Sequence, residues 1–193
     1  MTILCGSGCQ GAHDQLVALG ARLKAPMVHA MRGKEHVEWE NPYDVGMTGL
    51  IGFSSGYYAM HDCDILLMLG TDFPYRQFYP QGSAVRIAQV DIRPGQIGRR
   101  APVDLGLVGD VRTTIEALLP LLEERTDRSY LDQAVKHYQK ARKGLDDLAV
   151  ASPASGRSIP SRSPRPSATM PPQTPCSPAT SGCRRCGPPA IWP

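Results

Sequence analysis

The chain has 193 residues, 41% of them hydrophobic, and a formal net charge of +3, which suffices for one domain with a core. No apolar run reaches the ~18–20 residues of a membrane span, and the first residues lack the pattern of a signal peptide. Residues 1–150 hold all 18 acidic residues and are slightly acidic, which argues against a nucleic-acid partner.

Residues 151–193 differ sharply from the rest in composition. They contain 11 of the 18 prolines, five arginines and no acidic residue. This composition predicts a disordered Pro/Arg-rich tail after a domain over 1–150. Cys176, Cys183 and Cys186 allow a second interpretation as a metal or redox site, which the lack of a nearby histidine weakens. The domain has three cysteines, an odd and sparse set that predicts reduced thiols and a cytoplasmic location.

Apolar runs alternate with helical patterns in the first half of the domain. Thr2–Cys5 predicts a short buried strand, and apolar residues at helical spacing over 12–23 predict a helix. Residues 27–30 predict a second strand, whereas 31–47 are polar and predict no regular element. The small residues within 49–63 predict a closely packed helix.

The second half of the domain repeats the alternation. Residues 65–69 and 84–92 predict two further strands, and 105–108 predict a weaker one. Asp110 is a candidate N-cap for a helix running to about residue 124, and a charged helix is predicted over 130–148. Unbroken apolar strands alternating with helices predict an α/β fold: a Rossmann-like parallel sheet with helices on both faces.

Ligands of parallel sheets bind beyond the carboxyl ends of the strands, so the residues after each strand are the candidates for a site. The first strand is followed by Gly6-Ser7-Gly8-Cys9-Gln10-Gly11-Ala12, a G-x-G-x-x-G-A pattern before a helix. This pattern is typical of a phosphate-binding loop, and a tight turn without a ligand is the alternative. The acid expected about 20 residues after the first glycine is missing, so a ligand would be held in an unusual way.

The later strand ends carry further candidates. Gly46–Gly52 contains three glycines, Gly70–Arg76 is rich in polar residues, and Asp91 ends a strand where an acid can bind ribose hydroxyls. Asp110 is either a plain N-cap or a nucleotide contact. Together the strand ends favour an extended dinucleotide over a mononucleotide.

Four segments resemble the central domain of thiamine-diphosphate-dependent pyruvate oxidases of the pyruvate:quinone type, also called pyruvate dehydrogenase (quinone). They are GKEHVEWENPYDVGMTGLIG (33–52), LGTDFPYRQFYP (69–80), QVDIRPGQIGRRAPVDLGLVGD (89–110) and ARKGLDDLA (141–149). The resemblance covers about 1–150. Acetolactate synthase and pyruvate decarboxylase are broader relatives with the same central fold.

The resemblance implies that the domain binds FAD. It implies that the flavin end contacts Thr48, Gly49, Leu50 and Ile51. It implies that the cofactor is lined by Thr71, Asp72, Phe73, Pro74, Tyr75 and Arg76. It assigns the adenosine ribose to Asp91 and Ile92, and by analogy it adds Gly6, Gly8 and Asp110. An arginine near the flavin would stabilise the negative charge of the reduced ring.

The resemblance also implies what the whole enzyme does. Thiamine diphosphate and Mg²⁺ would lie between flanking domains, one with a catalytic glutamate and one with a Gly-Asp-Gly motif. The homotetramer, which can associate peripherally with a membrane, would decarboxylate pyruvate oxidatively to acetate and pass electrons through FAD to a quinone. This sequence contains neither feature, so we assign no catalytic or metal residue and expect the chain alone to be inactive. The alternatives are a stand-alone flavin-binding module and the central domain of an acetolactate-synthase-like enzyme.

The tail has a further interpretation. Codons can be chosen for residues 175–193 whose frame, shifted by one nucleotide, reads VFTCDVGLPTVWAARYLA, which resembles the start of the family's third domain. Because most of these amino acids fix their first two codon bases, little of this agreement is free choice. We therefore predict that the tail is an out-of-frame translation, with the shift between about Val150 and Ser158.

Overall fold

A six-stranded parallel sheet forms the centre of the computed structural model, which describes residues 1–81 and 84–150. The strands are β1 (Thr2–Cys5), β2 (Met27–His29), β3 (Asp44–Met47), β4 (Ile65–Leu69), β5 (Arg86–Asp91) and β6 (Leu105–Val108). Their order in the sheet is β3-β2-β1-β4-β5-β6, and every neighbouring pair is parallel. The chain thus starts in the middle of the sheet and builds outward first on one side and then on the other.

Helices cover both faces of this sheet. They are α1 (His13–Leu23), α2 (Lys34–Val37), α3 (Ser54–His61), α4 (Val111–Leu118) and α5 (Ser129–Val150). Helices α1, α2 and α4 supply buried side chains to one core, while α3 and α5 supply the other. This architecture confirms the predicted fold class.

The alternation of β1 shows why its sequence is apolar throughout. Ile3 and Cys5 belong to the core under α1 and α4, whereas Leu4 belongs to the core under α3. A strand buried on both faces has no solvent side on which polar residues would be favourable. Strand β6 lies at the edge, and there Leu107 and Val108 remain exposed.

Three elements differ from the sequence-based expectation. Residues 31–47 were expected to form no regular element, but Lys34–Val37 form the short helix α2. Residues 44–47 were expected to be irregular, but they form the edge strand β3, which pairs with β2 through an irregular register. The helix expected to run from Asp110 to about residue 124 ends at Leu118 and continues only as a 3-10 turn over Leu119–Leu121, which contains Pro120. A proline inside the helix would remove a backbone donor, so the helix stops there.

A buried polar pair joins the two strands on this side of the sheet. His29 Nε2 lies 3.5 Å from Asp44 Oδ1, and both side chains are almost fully buried. Burial raises the pKa of Asp44 to about 7 and lowers the pKa of His29 to about 4. Both groups therefore favour the neutral form between these values.

No helix within residues 1–81 and 84–150 is both long enough and apolar enough to cross a membrane. The predicted tail over 151–193, with its cysteines and its proposed change of reading frame, lies outside the described residues.

Candidate functional site

A trough runs along the carboxyl edge of the sheet. It consists of two adjoining cavities of about 360 and 490 Å³, which share Ser7, Gly70 and Arg93 in their walls. Residues that follow all six strands line one cavity or the other. The strand order reverses between β1 and β4, and such a reversal opens the crevice in which α/β sheets bind ligands.

The larger cavity, here called the apolar lobe, brings most of the predicted cofactor-binding residues together. Its walls include Gly6, Thr48, Gly49, Leu50, Ile51, Thr71, Asp72, Phe73, Pro74 and Tyr75. The side chains of Leu50 and Ile51 are 68% and 69% exposed, although they are large and apolar. Apolar walls with a few polar groups suit a flat aromatic ligand.

Gly49 and Thr48 form part of the wall of this lobe. Gly49 has a φ of +111°, and a Cβ there would lie 3.1 Å from the Phe73 ring, so a larger residue would crowd the space. Thr48 lines the lobe, and its buried hydroxyl has no hydrogen-bond partner within the described part of the chain. A buried hydroxyl without a partner is costly, and a ligand atom in the lobe could supply one. These residues fit a flavin.

Asp72 has a partner within the chain. Arg100 donates to its two carboxylate oxygens at 2.6 and 3.1 Å, and this guanidinium lowers the pKa of Asp72. The bidentate pair connects the segment after β4 to the segment before β6. Arg76 lies in the wall of a separate cavity, where its Nε donates to the Arg100 carbonyl at 3.1 Å. A contact between Arg76 and a cofactor stays a prediction.

The smaller cavity, here called the acidic lobe, contains four further predicted residues, Gly8, Asp91, Ile92 and Asp110. Asp91 is buried, and its Oδ1 accepts a hydrogen bond from the Arg93 backbone N–H at 2.9 Å. Ile92 is 66% exposed at the wall. Asp110 caps α4, since its Oδ1 accepts from the Thr113 N–H at 3.1 Å, and it also lines the lobe. The N-cap interpretation therefore holds without excluding a ligand contact through the second oxygen.

Packing within the chain accounts for two glycines of the pattern after β1, Gly6 and Gly8. A Cβ on Gly6 would lie 2.4 Å from the Gly70 carbonyl oxygen, and one on Gly8 would lie 2.7 Å from the Gly70 Cα. A 3-10 turn over Ser7–Cys9 separates β1 from α1. The loop after β1 and the loop after β4 cross so closely that no side chain fits between them. This crossing forms the floor of the trough where the two lobes meet.

The predicted site residues leave out several wall residues of the trough: Arg32 and Arg93, and, inside the glycine pattern that was itself a candidate, Ser7 and Gln10. Arg93 follows Asp91-Ile92 directly, so its place at a strand end was a usable signal. Arg32 comes two residues after the strand predicted over 27–30, so its place beyond a strand end was a usable signal as well.

Comparisons with known proteins agree with this architecture. The family described as "Thiamine pyrophosphate enzyme, central domain" matches residues 1–118. An uncharacterized 42.6 kDa protein in the isoamylase 3′ region of Pseudomonas amyloderamosa is 60% identical over 100% of this chain and 48% of its own length. That alignment includes residues 151–193.

Two further relatives carry functional names. The putative thiamine pyrophosphate-containing protein YdaP of Bacillus subtilis is 36% identical over 71% of this chain and 24% of its own length. A probable acetolactate synthase large subunit of Methanocaldococcus jannaschii is 31% identical over 62% of this chain and 21% of its own length. The chain thus spans about half of the first relative and a quarter or less of the other two. With its family match over all six strands of the sheet, the chain belongs to the central-domain family of thiamine pyrophosphate enzymes.

Proposed function

We propose that residues 1–150 hold FAD in a thiamine-diphosphate-dependent enzyme that acts on pyruvate. The observation that carries this proposal is the continuous trough, which has an apolar lobe at one end and a buried acid at the other. An isoalloxazine ring would suit the first lobe and an adenosine ribose the second, with the diphosphate near their shared wall. Bound there, FAD would supply electron transfer.

The residues of this chain would position such a ligand rather than react with it. Phe73 and Tyr75 offer aromatic surface against a flat ring, and Thr48 offers a hydroxyl that has no partner among the described residues. Asp91 offers a carboxylate to ribose hydroxyls at the end of β5.

The test is a titration of the full chain with FAD, followed by flavin fluorescence and equilibrium dialysis. We expect one FAD to bind per chain. If FAD fails to bind to a folded chain at any concentration that saturates related flavoproteins, the proposal is wrong.

For the whole protein we propose oxidation of pyruvate to acetate with a quinone as electron acceptor, in a homotetramer with thiamine diphosphate and Mg²⁺. The support is the resemblance of the GTDFPYR and YDVGMTGLIG segments to pyruvate oxidases. An acetolactate-synthase-like enzyme is the second candidate, favoured by the names of several relatives. Reduction of the bound flavin by pyruvate in a reassembled full-length protein would separate the two, because the flavin is not reduced in turnover by the synthase.

The origin of residues 151–193 separates two possibilities: a chain that acts within a longer protein and a stand-alone flavin module. The nucleotide sequence of the locus is the direct test. We expect other reading frames to encode a glutamate-bearing domain upstream and a Gly-Asp-Gly domain downstream. Unrelated flanking DNA, or an intact frame for the same tail in the DNA of close relatives, would overturn the frameshift prediction and favour the stand-alone module.

A further inference from the structure

Arg93 occupies the junction of the trough. It is one of three residues that contribute to the walls of both lobes, and it is the charged one among them. Its side chain is 67% exposed, and its Nε lies 3.8 Å from Asp91 Oδ1, beyond hydrogen-bond distance. The guanidinium thus forms a loose ion pair with Asp91, and among residues 1–81 and 84–150 it donates no side-chain hydrogen bond, so a ligand at the shared wall can use its donors.

The neighbouring arginines are engaged differently. Arg100 is bonded to both oxygens of Asp72. Arg99 donates to the Gln96 side chain at 3.2 Å and lies 3.8 Å from Asp72. Arg32 lines the apolar lobe but not the acidic lobe. Arg93 is thus the arginine placed to meet an anion that spans both lobes.

The glycine loop has few backbone donors left for such an anion. The Gly6 N–H is bonded to the Leu69 carbonyl at 3.0 Å, and the Gly8 N–H to the Gly70 carbonyl at 2.9 Å. The N–H groups of Cys9 and Gln10 are bonded to carbonyls of the same loop. In a dinucleotide fingerprint these groups approach the pyrophosphate. Here these N–H groups are bonded within the fold, so a side chain has to neutralise the charge of a bound diphosphate.

We propose that Arg93 binds the diphosphate of a dinucleotide whose two ends occupy the two lobes, and that it makes the site prefer a dinucleotide to an uncharged flavin. This inference rests on the proposed function and adds the residue that sets ligand preference. A guanidinium presents a planar fork of donors that matches two phosphate oxygens. Its attachment next to Asp91 brings the positive charge close to the group assigned to the ribose.

The experiment compares Arg93→Met, Arg93→Lys and the matched control Arg86→Met in the full chain. Arg86 begins the same strand β5 at the opposite edge of the sheet and is exposed there. Each protein is titrated with FAD, with riboflavin and with ADP, and circular dichroism checks that the fold is retained. Riboflavin probes the apolar lobe alone, and ADP probes the diphosphate and the acidic lobe.

We expect Arg93→Met to weaken FAD and ADP about tenfold or more, as the loss of a hydrogen bond to a charged group implies, and to leave riboflavin unchanged. Arg93→Lys should keep part of the affinity, and added salt should reduce the difference between wild type and Arg93→Met. Arg86→Met should bind all three ligands as the wild type does.

Other results would overturn the inference. An equal loss for riboflavin and FAD would mean that Arg93 merely supports the trough, and no loss for any ligand would mean that it does not contact phosphate. Wild-type chain that binds ADP in an Arg93-dependent way but neither flavin would refute the proposed function and leave the phosphate contact standing. Wild-type chain that binds none of the three would refute both.

Discussion

Two buried hydroxyls beside strand β3 differ in whether they have a partner. Ser55 donates to the Val45 carbonyl at 2.8 Å, so its hydrogen bond belongs to the fold. Thr48 Oγ1 has no partner in the ranges that the structure describes, and Thr48 is one of the residues that line the lobe. A buried polar group without a partner reduces stability, and such groups are retained where a ligand uses them.

This contrast gives the first prediction. Thr48→Val should leave the free energy of unfolding unchanged or raise it by up to about 1 kcal/mol, and should weaken FAD up to about tenfold. Ser55→Ala should lower the free energy of unfolding by about 1 kcal/mol without changing FAD affinity. Urea unfolding and FAD titration measure both quantities. A destabilised Thr48→Val chain with normal FAD affinity would assign the hydroxyl to the fold.

The second prediction concerns Gly70, where the loop after β4 crosses the loop after β1. Gly70 has a φ of +52°, and a Cβ there would lie 2.5 Å from the Gly8 Cα, so Gly70→Ala combines backbone strain with a clash. We expect it to lower the free energy of unfolding by about 2 kcal/mol or more. Gly95→Ala is the control, because nothing lies within 4 Å of its Cβ position, and it should change stability by less than about 0.5 kcal/mol. Equal urea midpoints for the two variants would show that the loops separate easily.

At the scale of elements, β2 and β3 are joined by two groups whose titrations oppose each other. Burial raises the pKa of Asp44 to about 7, so its contribution is present at low pH and is lost as the pH rises toward 7. Burial lowers the pKa of His29 to about 4, so its contribution is present above pH ~6.5 and is lost as the pH falls toward 4. Folding moves one proton off His29 and one onto Asp44, and the net pH dependence of the pair cancels.

Single substitutions should therefore reveal opposite slopes. With Asp44→Asn, the free energy of unfolding should fall as the pH is lowered from about 6.5 to 4, because only His29 still titrates. With His29→Gln, it should fall as the pH is raised from about 4 to 7. Each slope should approach at most ~1.4 kcal/mol per pH unit. Urea unfolding across this pH range measures the slopes, and two slopes of the same sign would contradict the opposed titration.

The elements also show what sequence could and could not predict. Thr2–Cys5 and Ile65–Leu69 were predictable because both faces of each strand are buried and the apolar run is unbroken. Asp44–Met47 was not, because it contains an aspartate and a glycine, and its strand conformation depends on pairing with β2. The cap at Asp110 was predictable since it depends on residues three positions apart.

The candidate site also has features that were predictable from local sequence and features that depend on the folded chain. The strand ends were predictable as walls of a trough because all strands of a parallel sheet end at one edge. The bond from Arg100 to Asp72 was not, because the two residues are far apart in sequence and meet only in the folded chain. The close contact of Gly8 with Gly70 was hidden for the same reason.

The whole molecule exposes apolar surface along the trough and at the free edge of the sheet. Met31, Leu50, Ile51, Leu107 and Val108 are each at least 45% exposed. Because the chain spans only part of its relatives, we expect these faces to contact further domains or subunits of a longer protein.

A prediction about turnover follows from this. Purified chain supplied with pyruvate, thiamine diphosphate, Mg²⁺, FAD and a quinone should form no acetate, because residues that could activate thiamine diphosphate are not recognisable in its sequence. Acetate is measured enzymatically, with a complete pyruvate oxidase as the positive control. Acetate formation by the pure chain above the background would contradict the prediction.

The central position of β1 affects how the chain folds during synthesis. β1 can pair with β2 and then β3 soon after they leave the ribosome, but its other edge stays open until β4 has been made. Until then, the nascent chain presents an unpaired apolar strand edge, the feature from which intermolecular strand pairing starts. The contact between Gly8 and Gly70 also forms only at that second stage, so a cofactor present from the start of translation could bind and protect the chain only after its most aggregation-prone interval has passed.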